Sequence, residues 1–256
     1  MARLVVWGAG ELGGRVARAR AAAGDAVLAA TRGTSRHAGL AAHGVECVLG
    51  DVAGRLRPDD DLFLALPGTA LQHEAVRALT AAHVSVRRAV LVSSTAFHAG
   101  ASGRIDESSP RGTGERAAAV AACEAAFAAW AGACGVILRC GGLWAAGRGP
   151  AAALRRSREV PPGPLERVLP LVHYDDAAAA AGAALGVAAP ERTYLCATPP
   201  SPSRGAFYAV ACAALGLAPP GPEPYAAASA EYDVTRLRRD LLPTPAHPDW
   251  RDAARA

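Results

Sequence analysis

Apolar runs alternate with segments of helical composition along the first half of the chain. The apolar runs predict buried strands and lie at residues 3–7, 26–30, 45–49, 62–66, 89–92 and 136–138. The segments that predict helices lie between most of these runs, at residues 11–23, 36–43, 70–82 and 115–133. Strands that are apolar throughout and alternate with helices are typical of a parallel sheet covered on both faces. The pattern therefore predicts an α/β fold with a doubly wound parallel sheet over residues 1–142.

The second half of the chain has a different pattern. Proline-rich segments at residues 161–164, 199–202 and 219–224 separate shorter elements. These elements are predicted helices at residues 175–187, 206–215 and 235–242, and a predicted strand at residues 193–196. We interpret residues 143–256 as a smaller C-terminal substrate lobe that packs over one edge of the sheet. The two parts are expected to form one structural unit with a cleft between them.

Composition and charge exclude several classes of protein. The chain has 256 residues, of which 51% are hydrophobic, so it can bury a large core and is not expected to be disordered. Charged residues make up 20%, the net charge is +4 and no stretch of five or six like charges occurs, so we expect no nucleic-acid partner. The absence of a long uncharged apolar stretch and of a signal-peptide pattern predicts a soluble, cytoplasmic protein with no membrane partner. Both a monomer and a homodimer remain open.

The inventory of reactive side chains is also restrictive. All 27 basic residues are arginine, so any mechanism that needs a lysine amine is excluded. The six cysteines show neither CxxC spacing nor a Cys/His cluster. We therefore expect reduced thiols, no disulfide and no metal site.

A glycine-rich turn follows the first predicted strand and opens the first predicted helix. Its sequence is Gly8-Ala9-Gly10-Glu11-Leu12-Gly13. The first glycine permits a sharp turn, the second lets the backbone approach a pyrophosphate, and the third allows close packing of helix and strand. The helix that starts at Glu11 and Leu12 offers N–H groups to the phosphates. Residues 1–142 are therefore predicted to form a dinucleotide-binding Rossmann domain, with a purely structural glycine turn as the alternative.

The end of the second predicted strand indicates which dinucleotide binds. An acidic residue there would hold the ribose 2′-hydroxyl of NAD, but the sequence has Thr31, Arg32 and Arg36. Arginine pairs with a 2′-phosphate through its forked donors. We therefore expect NADP(H) rather than NAD(H), with merely solvated arginines as the alternative.

Two later strand ends complete the predicted cofactor site. Asp51 and Val52 follow the third predicted strand and are expected to meet the adenine. Leu66, Pro67 and Gly68 follow the fourth and are expected beside the ribose and the pyrophosphate.

Further short blocks recur in a characteristic order. Beyond the glycine turn they are Gly50-Asp51, residues 91–98 (LVSSTAFH), residues 105–107 (IDE), Glu124, residues 138–144 (LRCGGLW), residues 172–176 (VHYDD) and residues 236–238 (RLR). In these blocks the chain resembles the extended and atypical branches of the short-chain dehydrogenase/reductase superfamily, which contain sugar-nucleotide epimerases and dehydratases. The resemblance runs over nearly the whole chain. It implies that the nicotinamide end of the cofactor lies near Cys140 to Leu143.

The chain departs from this family at its catalytic residues. Family members use a Tyr and a Lys spaced YxxxK, and a Glu commonly follows four residues after the Lys. Glu124 fits that Glu, which places Arg116 and Val120 at the Tyr and Lys positions. Ser94 matches the catalytic Ser/Thr, but the next two residues are threonine and alanine instead of the Asp and Glu of the dehydratases. The resemblance therefore implies an atypical member that keeps the nucleotide site and lacks the catalytic pair.

Four side chains are candidates for chemistry without that pair. Ser94 would donate a hydrogen bond to a carbonyl or imine. His98 has a pKa suited to proton transfer, with a buried histidine bonded to backbone as the alternative. Arg116 would clamp a carboxylate or stabilise an oxyanion, with a surface ion pair as the alternative. Tyr174 is the first tyrosine in the chain and would reach the cleft.

The sequence thus predicts an NADP(H)-dependent oxidoreductase of the atypical type that reduces a small carbonyl or imine substrate. The mildly basic chain suits an anionic substrate. Two alternatives remain open, which are a non-redox protein in which NADP(H) is structural or sensed, and an epimerase-like isomerase.

Overall fold

The computed structural model describes residues 2–222 and 224–256. The strands in this part of the chain are β1 (Leu4–Trp7), β2 (Val27–Thr31), β3 (Glu46–Leu49), β4 (Asp61–Leu64), β5 (Arg88–Ser94), β6 (Gly103–Ile105), β7 (Gly135–Cys140), β8 (Gly142–Trp144), β9 (Leu171–His173), β10 (Thr193–Cys196) and β11 (Ala230–Tyr232). The helices are α1 (Glu11–Ala22), α2 (His37–Ala41), α3 (Thr69–Ala81), α4 (Glu115–Ala131), α5 (Pro150–Ser157), α6 (Tyr174–Gly186), α7 (Arg204–Ala214), α8 (Thr235–Asp240) and α9 (Trp250–Arg255).

Seven of the strands form one parallel sheet. Their order is β10-β7-β5-β4-β1-β2-β3. The chain runs outward from β1 to β3 and then restarts on the other side of β1 with β4, so the strand order reverses between β1 and β4. Ligands of open α/β sheets bind at the carboxyl ends of the strands beside such a reversal. The predicted α/β fold with a doubly wound parallel sheet is confirmed.

Helices cover both faces of this sheet, and β1 shows why its sequence is apolar throughout. Leu4 and Val6 point into the core layer that contains α1 and α6. Val5 and Trp7 point into the layer that contains α3 and α4. All four side chains are buried, because successive residues of a strand face opposite sides of the sheet.

The sheet extends beyond the predicted boundary at residue 142. β10 lies in the predicted lobe but pairs in parallel with β7, and α6 packs on α1. The predicted boundary at residue 142 therefore separates β10 and α6 from the sheet and the helix against which they pack. The elements β8, β9, α5, α7 and α9 form a separate hydrophobic cluster beside it. The smaller lobe is built from these elements.

The helix α4 is the one helix among the described residues that is long and apolar enough to cross a membrane by length and composition. With its following turn it spans Glu115–Cys134 and has a mean hydropathy of 1.5. In the structure its Cys123 and Phe127 are buried in the core layer against the sheet. The position of the helix in the fold accounts for its apolar composition.

Candidate active site

The glycine-rich turn links β1 to α1 at the carboxyl edge of the sheet. Gly8 has a φ of +101°, and a Cβ there would lie 2.7 Å from the Ala65 carbonyl carbon. A Cβ at Gly13 would lie 2.3 Å from the Gly8 carbonyl oxygen. A Cβ at Gly10, in contrast, would meet no protein atom within 4 Å. Gly10 therefore leaves open space at the N-terminus of α1, where a phosphate is favoured.

A cavity of about 470 Å³ lies beside this turn, and we call it the loop cavity. It is lined by predicted cofactor residues, namely Gly8, Gly10, Thr31, Arg32, Arg36, Asp51, Leu66 and Pro67. Asp51 Oδ1 also accepts a hydrogen bond from the Ala53 N–H at 2.6 Å. The side chain of Val52 is placed differently, because it is fully buried in the core layer that contains α3.

The positively charged side chains that line the loop cavity come from the segment that follows β2. Arg32 is exposed there and forms no ion pair with any acidic side chain in residues 2–222 and 224–256. Thr31 Oγ1 is hydrogen-bonded to His37 Nε2 at 2.6 Å. Arg36 Nη2 lies 3.5 Å from Glu11 Oε2. The guanidinium of Arg32 is therefore free to meet an anionic group of a ligand.

A second cavity of about 340 Å³, the central cavity, adjoins the first. The two cavities share Ala65, Leu66 and Pro67, which follow β4. The predicted residues that line the central cavity are Glu11, Leu12, Leu66, Pro67, Gly68, Ser94, Arg116, Cys140 and Tyr174. The fold therefore brings the predicted nicotinamide region and most of the predicted catalytic residues together.

A third cavity of about 540 Å³, the lobe cavity, adjoins the central cavity in turn. These two share Ser94, Arg116 and Gly141. The three cavities form a continuous row from the glycine turn to the C-terminal lobe.

Ser94 lies at the junction of the central and lobe cavities. It is the last residue of β5, which the neighbouring strands β4 and β7 hold in register. Its Oγ accepts a hydrogen bond from the Ala96 N–H at 3.1 Å. The hydroxyl hydrogen is thereby left to donate to a ligand.

His98 borders the lobe cavity but is 1% exposed, and both ring nitrogens have protein partners. Nε2 lies 3.0 Å from Arg139 Nη1 and Nδ1 lies 3.2 Å from the Pro110 carbonyl oxygen. Because a guanidinium can only donate, Nε2 accepts and the Nδ1–H donates to the carbonyl. Burial and the positive charge of Arg139 lower the pKa of His98 to about 4. This arrangement favours the buried histidine bonded to backbone over the predicted proton donor.

Arg139 belongs to a buried polar cluster behind Ser94. Its Nη2 donates to Glu124 Oε2 at 2.8 Å, and its Cζ lies 3.4 Å from the centroid of the Phe97 ring. Ser93 Oγ donates to Glu124 Oε1 at 2.5 Å. The cluster joins α4, β5 and β7, and so it fixes the elements that carry Ser94 and Arg116.

Arg116 and Val120 line the central cavity on α4, so the fold puts both at the site from which the expected Tyr and Lys are missing. Arg116 is exposed and has no acidic partner in the described part of the chain, so the surface ion pair considered for it is not formed. Tyr174 lines the same cavity, and burial raises the pKa of its phenol. The Arg15 guanidinium lies 5.2 Å from the Tyr174 ring centroid.

Glu11, at the start of α1, forms ion pairs with three arginines. Arg148 Nε lies 2.9 Å from Glu11 Oε2, Arg36 approaches the same oxygen, and Arg15 pairs with Oε1. Arg148 comes from the segment between β8 and α5. The cluster therefore ties the lobe to the glycine turn and concentrates positive charge next to Gly10.

A cluster that the sequence did not predict lies at the start of α6. One ligand atom from each of His173, Asp175 and His247 lies within 4.8 Å of the others. Arg15 Nε donates to Asp175 Oδ1 at 2.6 Å, and the imidazole rings of His173 and His247 are in contact, with centroids 3.6 Å apart and an interplanar angle of 34°. Burial and the neighbouring His247 lower the pKa of His173. The ion pair with Arg15 and the contact between the two rings hold this cluster together.

The lobe cavity also contains side chains that no sequence pattern singled out. They come from irregular segments and from β11, and they are Glu166, Arg167, Ser229 and Tyr232. Burial raises the pKa of Tyr232 to about 12, although the positive charge of Arg167 and a hydrogen bond with Thr95 act in the opposite direction. The proline-rich composition of these segments was the only signal that they differ from the sheet.

A comparison with protein-family models and with curated protein sequences finds no match. Solved structures match along nearly the whole chain. UDP-glucuronic acid 4-epimerase from Bacillus cereus in complex with NAD has a TM-score of 0.74 at 14% identity, with 99% of this chain and 96% of that chain covered. MoeE5 in complex with UDP-glucose and NAD has a TM-score of 0.76 at 21% identity, with 98% and 96% covered. Human epimerase family protein SDR39U1 (isoform 2) with NADPH has a TM-score of 0.71 at 18% identity, with 99% and 98% covered.

The chain has the fold of the extended short-chain dehydrogenase/reductases. The resemblance seen in the sequence is therefore confirmed at the level of the fold. Within this fold, the sequence placed the glycine turn and the residues after β2, β3 and β4 at the loop cavity. Two of the three similar structures hold NAD and one holds NADPH, so the fold accommodates either dinucleotide.

Proposed function

We propose that the protein is an NADP(H)-dependent oxidoreductase that reduces a small carbonyl or imine substrate. The observation that carries this proposal is the continuous row of three cavities, with Ser94 at the junction of the second and the third. A dinucleotide along the first two cavities would bring its reactive end to Ser94. A substrate in the lobe cavity would meet it there.

The residues present fit such a cofactor. The open space over Gly10 at the N-terminus of α1 suits the pyrophosphate, because no side chain fills it. Arg32 and Arg36 after β2 suit a 2′-phosphate, which supports NADP(H) over NAD(H). Asp51 is placed for the adenine, and Cys140 lines the central cavity where the nicotinamide ring would lie.

The bound cofactor would supply a hydride, and the protein must hold the substrate and stabilise the charge that develops on it. Ser94 is suited to this role because its hydroxyl hydrogen remains free to donate to the carbonyl oxygen or imine nitrogen. Arg116, at the same junction, adds a positive charge and a planar set of hydrogen-bond donors. Solvent water delivers the proton that completes the reduction.

A second candidate function is favoured by Arg116 and Val120 at the Tyr and Lys positions. Without that pair the protein would bind NADP(H) as a structural or sensed ligand and would not turn it over. This reading predicts a cofactor-dependent rise in stability without oxidation of NADPH.

The test is to mix the protein with NADPH and a panel of carbonyls and imines, and to follow NADPH oxidation by its absorbance. Under the oxidoreductase proposal, at least one substrate is turned over, and Ser94→Ala lowers kcat by about a hundredfold because one hydrogen-bond donor to the developing anion is lost. Ser85→Ala serves as the matched control, because Ser85 is exposed and remote from the three cavities. Tight binding of NADPH with no turnover over the whole panel would favour the non-redox function instead.

A further inference from the structure

We propose that Arg116 and Arg167 bind the carboxylate of the substrate, so that the protein acts on 2-oxo acids or on the corresponding 2-imino acids. This inference rests on the proposed function and adds the class of substrate. It depends on the charges that line the lobe cavity and on their position relative to Ser94.

Arg116 is the first part of the argument. Its side chain is exposed, lines both the central and the lobe cavities, and has no acidic partner among the residues that the structure describes. It also lies in the first turn of α4, where the helix dipole disfavours a cation. Neither an ion pair nor helix stability therefore explains an arginine at this position, whereas binding of an anion does.

Arg167 is the second part. It lines the same lobe cavity from the C-terminal segment, it is exposed, and it too has no acidic partner in the described ranges. Its positive charge is near Tyr232, where it partly offsets the rise in the pKa of the phenol that burial causes. The guanidinium groups of Arg116 on α4 and of Arg167, from the segment between α5 and β9, thus line one cavity.

The remaining charges of the lobe cavity do not neutralise these two. Glu166 is the one acidic residue among its described lining residues, so two positive groups face one negative group. His98 is held in the neutral form, because burial and Arg139 lower its pKa to about 4. The cavity therefore carries a net positive charge near neutral pH and favours an anionic ligand.

The position of Arg116 limits where the anion can lie on the substrate. Arg116 and Ser94 both line the central and the lobe cavities, so an anion at Arg116 and the group that meets Ser94 would occupy the same junction. This favours a carboxylate directly attached to the reacting carbon. Much of the rest of the wall is small or apolar, and it includes Ala96, Ala99, Ala101, Val168 and Leu169.

The reaction that follows is balanced without a further reactant. A 2-oxo acid, NADPH and one proton give the 2-hydroxy acid and NADP⁺. The bound cofactor would supply the hydride to the carbonyl carbon, the C=O π bond would become a C–O single bond, and the oxygen would take one proton from solvent while the Ser94 hydroxyl donates a hydrogen bond to it.

Binding of small anions to the NADP⁺-saturated protein tests the inference without turnover, because the oxidised cofactor has no hydride to give to a 2-oxo acid. Isothermal titration compares oxamate, which has a carboxylate beside a carbonyl, with oxamide, its neutral analogue; phenylpyruvate and its methyl ester form a second, larger pair. We expect each acid to bind at least about tenfold more tightly than its neutral partner, and Arg116→Gln to remove that preference. Equal affinity for acid and neutral partner in both pairs, or no binding of either acid, would overturn the inference.

Three further variants make the test specific. Arg167→Gln should weaken the acids several-fold, and Glu166→Gln should strengthen them, because it removes the opposing charge from the cavity. Arg77→Gln is the control, because Arg77 is an exposed arginine of α3 that lines none of the cavities described here. If Arg77→Gln had the same effect as Arg116→Gln, the preference for the acid over its neutral analogue would come from the general charge of the surface. That result would contradict the proposal.

The failure of this inference can be distinguished from the failure of the proposed function. If NADPH binds and the methyl esters of 2-oxo acids are reduced as efficiently as the acids, the substrate class is wrong and the oxidoreductase function stands. If NADPH and oxamate bind but no panel member is reduced, the anion site stands and the redox function fails. If NADPH itself does not bind, the oxidoreductase function is wrong and the inference falls with it.

Discussion

Arg139 and Glu124 form an ion pair in the interior of the protein, with 2.8 Å between Nη2 and Oε2. Their side chains are only 7% and 6% exposed. Arg139 Nε also lies 3.1 and 3.2 Å from the two carboxylate oxygens, so the contact is multiple. The pair joins α4 to β7, and through Ser93 it also reaches β5. The three elements that surround Ser94 are thus held by one polar cluster.

Glu124→Ala should lower the free energy of unfolding by about 3–5 kcal/mol, because it leaves the guanidinium of Arg139 buried without its counter-charge. Urea unfolding measures this change. Glu115→Ala, which removes an exposed carboxylate from the same helix, should change it by about 0.5 kcal/mol or less. Equal destabilisation by the two variants would show that the buried ion pair contributes nothing specific.

Much of the sheet could be predicted from the sequence, because most of its strands are apolar on both faces and form apolar runs that are visible without tertiary information. The edge strand β3 is the exception, since its residues are exposed or half-buried. The strand predicted at residues 193–196 is observed as β10 with the same ends. Its membership of the main sheet was not predicted, since the proline-rich segments around it suggested a separate lobe. Chain composition changes at residue 142, but the hydrogen-bonding edge of β7 remains open to a further strand.

The shorter elements could not be predicted from pattern. β6 and β11 are three-residue strands that pair with each other in parallel, although more than a hundred residues separate them. Such a pair leaves no periodicity within either segment. The absence of a local sequence pattern also explains why Arg167 and Tyr232 were not predicted as site residues. The glycine turn and Ser94 were predicted. These two follow predicted strands, whereas Arg167 and Tyr232 reach the lobe cavity only through tertiary packing.

The stability of the protein should fall as the pH is lowered, because the folded state disfavours protonation of His98 relative to the unfolded chain. Its pKa is lowered from 6.5 to about 4 by burial and by Arg139, so between these values the unfolded chain binds a proton that the folded protein excludes. Stability is fully present above pH 6.5 and decreases toward pH 4, by about 3 kcal/mol for this group. Urea unfolding over this range should show a smaller decrease for His98→Gln. An identical pH dependence in the variant would contradict the assignment.

Gly10→Ala should separate cofactor binding from folding. A Cβ at Gly10 meets no protein atom within 4 Å, and the residue has a φ of −73°, so the free energy of unfolding should change by less than about 1 kcal/mol. The methyl group would occupy the space assigned to the pyrophosphate, and the affinity for NADPH should fall by at least about tenfold in isothermal titration.

Gly13→Ala provides the opposite case in the same turn. Its Cβ would lie 2.3 Å from the Gly8 carbonyl oxygen, so this variant should lose about 1–3 kcal/mol of stability. If Gly10→Ala left the affinity for NADPH unchanged, the open space beside α1 would not be a phosphate site.

Arg32→Glu should discriminate between the two dinucleotides. Arg32 lines the loop cavity after β2 and has no acidic partner in the described part of the chain, so its guanidinium is available to a 2′-phosphate. We expect the Kd for NADPH to rise by about a hundredfold, since a charge-assisted contact of about 1.5–3 kcal/mol is replaced by repulsion. The Kd for NADH, which lacks that phosphate, should change by a factor of about three or less. Arg77→Glu introduces the same change of charge at a residue of α3 that does not line the cavity, and it should affect neither Kd. Equal losses for NADPH and NADH in Arg32→Glu would refute the preference for NADP(H), because the residue would then act on a part common to both dinucleotides.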